Sequence, residues 1–153
     1  MRVRRLRATV VAAAMSIGVL GAVAVGQAQA GPDLTAGTPC AIGGDGACVS
    51  VDTKQAWLVD DGEVVRGPVQ ISVGAPGHET PRGSFVVEWK HKDHRSKEFN
   101  DAPMPWAVFF APGGIAFHEG NLGTPSAGCV RLGAADAQAF YEFLEVGDPV
   151  EVR

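Results

Sequence analysis

From Cys48 onward the chain is a succession of short apolar runs, rich in Val, Ile, Phe and Trp, each cut off by Gly, Pro or Asp. CVSVD, AWLVDDGEVVRG, PVQISVG, SFVVEWKH, PWAVFFAPGG, IAFHEG and DPVEV read as strands. Asp61-Gly62 is a hairpin signal. Pro112-Gly113-Gly114 divides two of the runs. GAPGHETPRG, Gly74 to Gly83, reads as a long loop, and KDHRSKEFNDAP as charged and irregular. Only AADAQAFYEFLEVG carries a helical period, with Ala137, Phe140, Tyr141 and Leu144 at i, i+3, i+4 and i+7 and Gly147 as its stop. The Phe and Tyr of that helix read as core. Without strand–helix alternation, a parallel α/β sheet is disfavoured. The expected fold is a mostly β domain with one late helix.

The first residues are organised differently. MRVRRLR holds four arginines and no acid, the run from Ala8 to Val25 is apolar, and GQAQAG follows. Basic, apolar and small residues in that order form a secretory signal peptide. Ala28-Gln29-Ala30 fits the small-x-small cleavage pattern, which places the cut after Ala30 and the protein outside the cytoplasm. The alternative is an uncleaved anchor, because about 20 apolar residues span a bilayer. Residues 1–30 are thus the leader, 31–47 a Gly- and Pro-rich tail or loop, and 48–153 the working domain. Four of the 13 basic residues lie in the leader, leaving nine against 17 acidic ones, a formal charge of −8. That balance excludes nucleic acid as a partner, since phosphates demand a basic face. Nor does it favour an anionic membrane surface. The chain is expected to act as a monomer.

Export changes how the three cysteines read, because thiols outside the cytoplasm tend to pair. Cys40 and Cys48 enclose AIGGDGA, a loop able to bend back on itself, and are expected to form a disulfide. The alternatives are two free thiols, or a bridge from one of them to Cys129. With Cys40 and Cys48 joined, Cys129 is left over, and an odd cysteine in a secreted chain is a candidate reactive thiol.

A cysteine nucleophile reacts as its thiolate, needs a base to take its proton, and needs N–H donors for the oxyanion that develops. Gly128 allows a tight turn and close approach beside Cys129. Arg131 brings positive charge. The segment beyond runs into the helix, whose N-terminus favours an anion. Four histidines compete for the role of base. His118 ends an apolar run and opens the loop returning to Cys129. His78 lies in the Gly/Pro loop, and His91 and His94 in a charged stretch that reads as solvated. By spacing alone, His118 is equally a base or a structural histidine. A zinc site from His91, His94, His118 and Cys129 is a remote rival, lacking a second cysteine nearby.

His118-x-Gly120 followed by Ser126-x-Gly128-Cys129-Val130-Arg131 resembles the signature of the L,D-transpeptidase (YkuD-type) catalytic domain family. The similarity extends to HETPRGSFVV, with Thr80, Pro81, Gly83 and Phe85, to MPWAVFFAPGGIAFHEG, and to the ending LGAADAQAFYEFLEVGDPVEV. It covers about Cys48 to Val152. The resemblance implies a β-sandwich or barrel with one helix near its C-terminal side, in the bacterial cell wall or periplasm. It implies that Cys129 attacks a peptidoglycan stem tetrapeptide, releases D-alanine, and passes the acyl group from a thioester to an amine of a second stem, giving a 3→3 cross-link. By position, Cys129 is the nucleophile and His118 its base. Gly128 and the Cys129 N–H are candidates for the oxyanion hole. Ser126, Gly120 and Arg131 hold the loop or meet substrate. Carbapenems are expected to acylate Cys129. No cofactor or metal is implied. Many family members carry a second histidine where this chain has Ala127. Trp106 stands where a smaller aromatic is common, either narrowing the cleft or belonging to the core. An L,D-carboxypeptidase with the same site, and a catalytically weak peptidoglycan-binding module, are the rival readings.

Overall fold

The computed structural model describes residues 34–153, and the leader expected over 1–30 lies outside the described residues. The strands are β1 (Gly46–Ser50), β2 (Gln55–Asp60), β3 (Glu63–Ser72), β4 (Gly83–Val86), β5 (Trp89–Ser96), β6 (Ala102–Ala111), β7 (Ile115–Glu119), β8 (Val130–Leu132) and β9 (Pro149–Val152). One helix, α1 (Ala134–Phe143), lies between the last two. Among the described residues they form one sheet in the order β4-β9-β1-β2-β3-β8-β7-β6-β5.

Asp61 and Gly62 both take positive φ, 52° and 78°, and close the β2–β3 hairpin as their sequence signalled. Strand β3 is the corner of the sheet. Most of it pairs with β2, while its last residues, Ile71 and Ser72, pair with Leu132 and Arg131 of β8. The sheet curls there, and its inner faces meet over a core containing Phe110, Phe117 and Phe140. The rings of Phe110 and Phe117 are 4.7 Å apart, and those of Phe117 and Phe140 are 5.2 Å apart. Ala137, Phe140 and Leu144 all point into this core, as the helical period required. The mostly β fold with a late helix is therefore present, with two parallel contacts, β1–β9 and β7–β8, inside an otherwise antiparallel sheet.

Two stretches differ from their reading. SFVVEWKH is divided at Val87-Glu88. The Val87 N–H donates to Asp148 O (2.9 Å) and the Glu88 N–H to Phe109 O (2.8 Å), so the chain changes partner from β9 to β6 at that point. Strands β4 and β5 are consequently the two edges of the sheet. The stretch expected to be irregular supplies most of β5, paired with β6 from Trp89↔Phe109 to Ser96↔Ala102. Its charges obscure the strand pattern, yet charge is what a solvent-facing edge uses to discourage pairing with another chain.

The disulfide forms between Cys40 and Cys48. The segment before β1 is a loop without regular structure, but it is packed. Cys40 and Ile42 are buried against Trp57 and Val59. The Thr35 hydroxyl donates to Ile42 O (2.8 Å) and accepts the Ile42 N–H (3.0 Å). Strand β1 begins at Gly46, just ahead of the bridge.

Candidate active site

The parallel pairing of β7 with β8 builds the site. Phe117 lies opposite Val130 and His118 opposite Arg131. Alternation then sends Phe117 and Val130 into the core, and Ala116, His118, Cys129 and Arg131 to the other face. That face floors a groove of about 860 Å³. Its walls are the β5–β6 hairpin, the Gly113-Gly114 turn and the 120–131 loop. Cys129 packs against an apolar patch of Met104, Ala107, Phe109 and Ala116. Met104 and Ala107 share this face despite their odd spacing because Trp106 between them has φ 59°, which breaks the alternation.

His118 is 7% exposed. Its Nδ1 lies 2.7 Å from Glu119 O. A carbonyl only accepts, so Nδ1 carries the proton and Nε2 keeps its lone pair. Burial lowers the His118 pKa; the Glu119 bond opposes this, while Arg131 and His94 add to it. The same burial raises the Cys129 thiol. The Ala116 backbone and Arg131 pull it back, and Glu98 pushes it further up. At rest the pair is therefore a neutral thiol and a neutral imidazole. The Cys129 Sγ lies 3.6 Å from Gly114 O, its hydrogen-bond partner in this state.

The loop before the cysteine is tied by its backbone and small hydroxyls. Ser126 Oγ accepts the Gly128 N–H (3.1 Å) and donates to Cys129 O (2.5 Å). The Ser126 N–H donates to Val73 O (2.9 Å), and the Ala75 N–H to Ser126 O (3.0 Å), fastening the loop to the end of β3. Arg131 Nη1 donates to Pro125 O (3.3 Å) and Thr124 O (3.4 Å). Gly120 makes room for it, since a Cβ there would sit 2.7 Å from Arg131 Cδ. Arg131 is thus a fastening of the loop. Ala127 is exposed and takes no part in these bonds, so the turn does not depend on a side chain at that position.

Several expectations need adjustment. Trp106 is turned away from the groove: its ring packs edge-on against Tyr141 of α1, at 5.5 Å, with Lys92 Nζ over it at 4.6 Å. The Gly128 N–H is spent on Ser126, which leaves the Cys129 N–H as the donor of that pair. Strand β8 separates Cys129 from the helix, so the helix N-terminus is about 10 Å further along the chain and out of reach. His94 is half-buried in the groove wall, edge-on to Trp89 and Phe109. Its Nδ1 is 3.3 Å from that of the exposed His91. Among the described residues no three His, Cys, Asp or Glu side chains converge on a point that could hold a metal ion. Sequence reasoning left Glu98 and the Met104–Phe109 floor unassigned, because only the hairpin pairing brings them to the cysteine.

The family model for the YkuD L,D-transpeptidase catalytic domain matches residues 44–152. The chain belongs to this L,D-transpeptidase family. Among solved structures, it is similar to an L,D-transpeptidase from Stackebrandtia nassauensis, with 29% identity, TM-score 0.66, and coverage of 72% of this chain and 55% of that one. It is also similar to an L,D-transpeptidase from Mycobacterium smegmatis, with 26% identity, TM-score 0.65, and coverage of 71% and 58%. An L,D-transpeptidase solved in complex with imipenem shares the fold at 23% identity and TM-score 0.64, with 71% of this chain and 58% of that one covered. The match therefore spans little more than half the length of these L,D-transpeptidases. No curated protein matches the chain.

Proposed function

We propose that the protein is a secreted cysteine L,D-transpeptidase that forms 3→3 cross-links in peptidoglycan. The observation that carries this reading is that His118 on β7 and Cys129, just ahead of the parallel strand β8, line one groove, with the imidazole Nε2 unprotonated. The Cys129 thiol gives its proton to Nε2 as Sγ attacks the carbonyl that precedes the terminal D-alanine of a stem tetrapeptide. The oxyanion is received by the Cys129 N–H. Collapse breaks the C–N bond, His118 returns the proton to the departing D-alanine nitrogen, and a thioester remains. An amine of a second stem then attacks the thioester, loses its proton to His118, and releases the sulfur. Every proton in this cycle is carried by His118, so no cofactor enters. The apolar floor supports the scheme by keeping the thiol protonated until a substrate displaces water.

The relative in complex with imipenem supports the same site as a target of carbapenems. The leader of residues 1–30 and the Cys40–Cys48 bridge support action in the cell wall or periplasm. Purified residues 31–153 incubated with a disaccharide-tetrapeptide test the reading by mass spectrometry, beside Cys129→Ala. The expected result is loss of D-alanine with a cross-linked dimer, absent from the variant. Loss of D-alanine without dimer would make water the acceptor and the enzyme an L,D-carboxypeptidase. An intact tetrapeptide, with no labelling of Cys129, would leave a peptidoglycan-binding module.

A further inference from the structure

We infer that Thr80 is a positioning residue that aims the Cys129 N–H into the groove by holding the Gly128 carbonyl on the opposite side. This deepens, and rests on, the proposed acylation of Cys129. Thr80 is 3% exposed and lies in the loop after β3, far upstream of the cysteine. Its Oγ1 accepts the Gly74 N–H at 3.0 Å and donates to Gly128 O at 2.7 Å. A hydroxyl has one proton to give, so the Gly128 contact consumes its donor capacity.

The Gly128–Cys129 peptide is not among the cis bonds. In a planar trans peptide the C=O and N–H point in opposite directions. Fixing Gly128 O toward Thr80 therefore fixes the Cys129 N–H away from it. The neighbouring groups are held by Ser126, through the Gly128 N–H and the Cys129 carbonyl. The peptide between them is the one with freedom to turn. Gly128 has φ 120° and no Cβ to resist rotation. Thr80 supplies the hydrogen bond that removes this freedom.

The packing leaves Thr80 little slack. A Cβ on Gly74 would collide with His78 O and approach the Thr80 N at 2.8 Å, so the loop closes tightly on its own base. A Cβ on Gly128 would lie 3.6 Å from His78 O and 3.9 Å from Glu79 O, so the same loop is seated directly against the nucleophile's turn. Thr80 itself does not line the groove. It acts through the peptide it holds.

The test compares two reactions of Cys129 in the purified protein. Acylation by imipenem forms a C–S bond, opens the lactam C–N bond and passes through an oxyanion, with the thiol proton ending on the lactam nitrogen. Alkylation by iodoacetamide displaces iodide and forms no oxyanion. Thr80→Val keeps the shape and deletes the donor. It should slow imipenem acylation by about 10- to 100-fold, leave alkylation within about twofold, and be rescued by Thr80→Ser. Thr80→Ala is the second donor deletion should the valine variant not fold, with melting temperature measured for each. Equal slowing of both reactions would assign Thr80 a purely structural role and overturn the inference, as would unchanged acylation. A wild-type Cys129 that imipenem does not acylate would overturn the acylation reading and the inference with it.

Discussion

At the scale of single residues, one environment moves two groups in opposite directions, because burial penalises whichever form is charged. The Cys129 thiol is raised and the His118 imidazolium is lowered. Transfer of the proton needs His118 neutral, which holds above its pKa, and a thiol still carrying its proton, which holds below that of Cys129. Turnover should therefore persist below pH ~6.5, the value of a free imidazole, and fall only as His118 protonates. Iodoacetamide labelling of Cys129, followed across pH, should rise in one step centred above the ~8.5 of a free thiol. A labelling plateau already reached at mildly acid pH would mean a resting thiolate–imidazolium pair. Glu98 adds to the upward shift of the thiol. Glu98→Gln should accelerate labelling at fixed pH, by no more than about threefold because the carboxylate is exposed and screened. Cys129, His118, Ser126 and Arg131 were singled out by the family motif they match, whereas spacing alone left His118 equally a base or a structural histidine. Thr80 was visible as part of a motif, but its bond to Gly128 was not, since a contact between distant loops leaves no local spacing to read. Of the two places open to Trp106, it takes the one against the core: its φ is positive and its ring packs on Tyr141, and no periodicity encodes that choice.

At the scale of elements, helix α1 has no basic residue in its last turn. The compensation comes from β5. Lys90 Nζ donates to Leu144 O at 2.6 Å and stands over the Tyr141 ring at 4.7 Å. A cation at a helix C-terminus answers the macrodipole and the unpaired carbonyls there. Lys90→Met keeps the stem and removes the charge. It should lower stability by about 1 kcal/mol, measured by urea denaturation, and an unchanged midpoint would show the contact to be idle. The hairpin signal at Asp61-Gly62 and the helical period were readable because each rests on local backbone chemistry. Strand β5 beyond His91 was not, because its identity comes from pairing with β6 rather than from its own residues. The same dependence on a partner explains why the break at Val87-Glu88 escaped notice in a stretch read as one strand.

At the scale of the whole domain, the Cys40–Cys48 bridge and the site lie in different parts of the sheet. Strands β2 and β3 stand between β1 and the β7–β8 pair. Replacing both cysteines, as Cys40→Ala with Cys48→Ala, should cost about 2 kcal/mol for so short a loop. Iodoacetamide labelling of Cys129 in that variant should match the wild type below the melting transition. A changed labelling rate would show that the bridge reaches the groove. The curl at β3 matters more to the site, because it seats β8 beside β3 and β7, and the β7–β8 pair packs the core with one face and floors the groove with the other. A mostly β class could be read from the chain, whereas the corner at Ile71 and Ser72 arises from a strand long enough to serve two partners. The resting neutrality of Cys129 has a last consequence. Thiolates attack peroxides and disulfides far faster than thiols do. A sulfur that keeps its proton at rest is therefore slow to corrode.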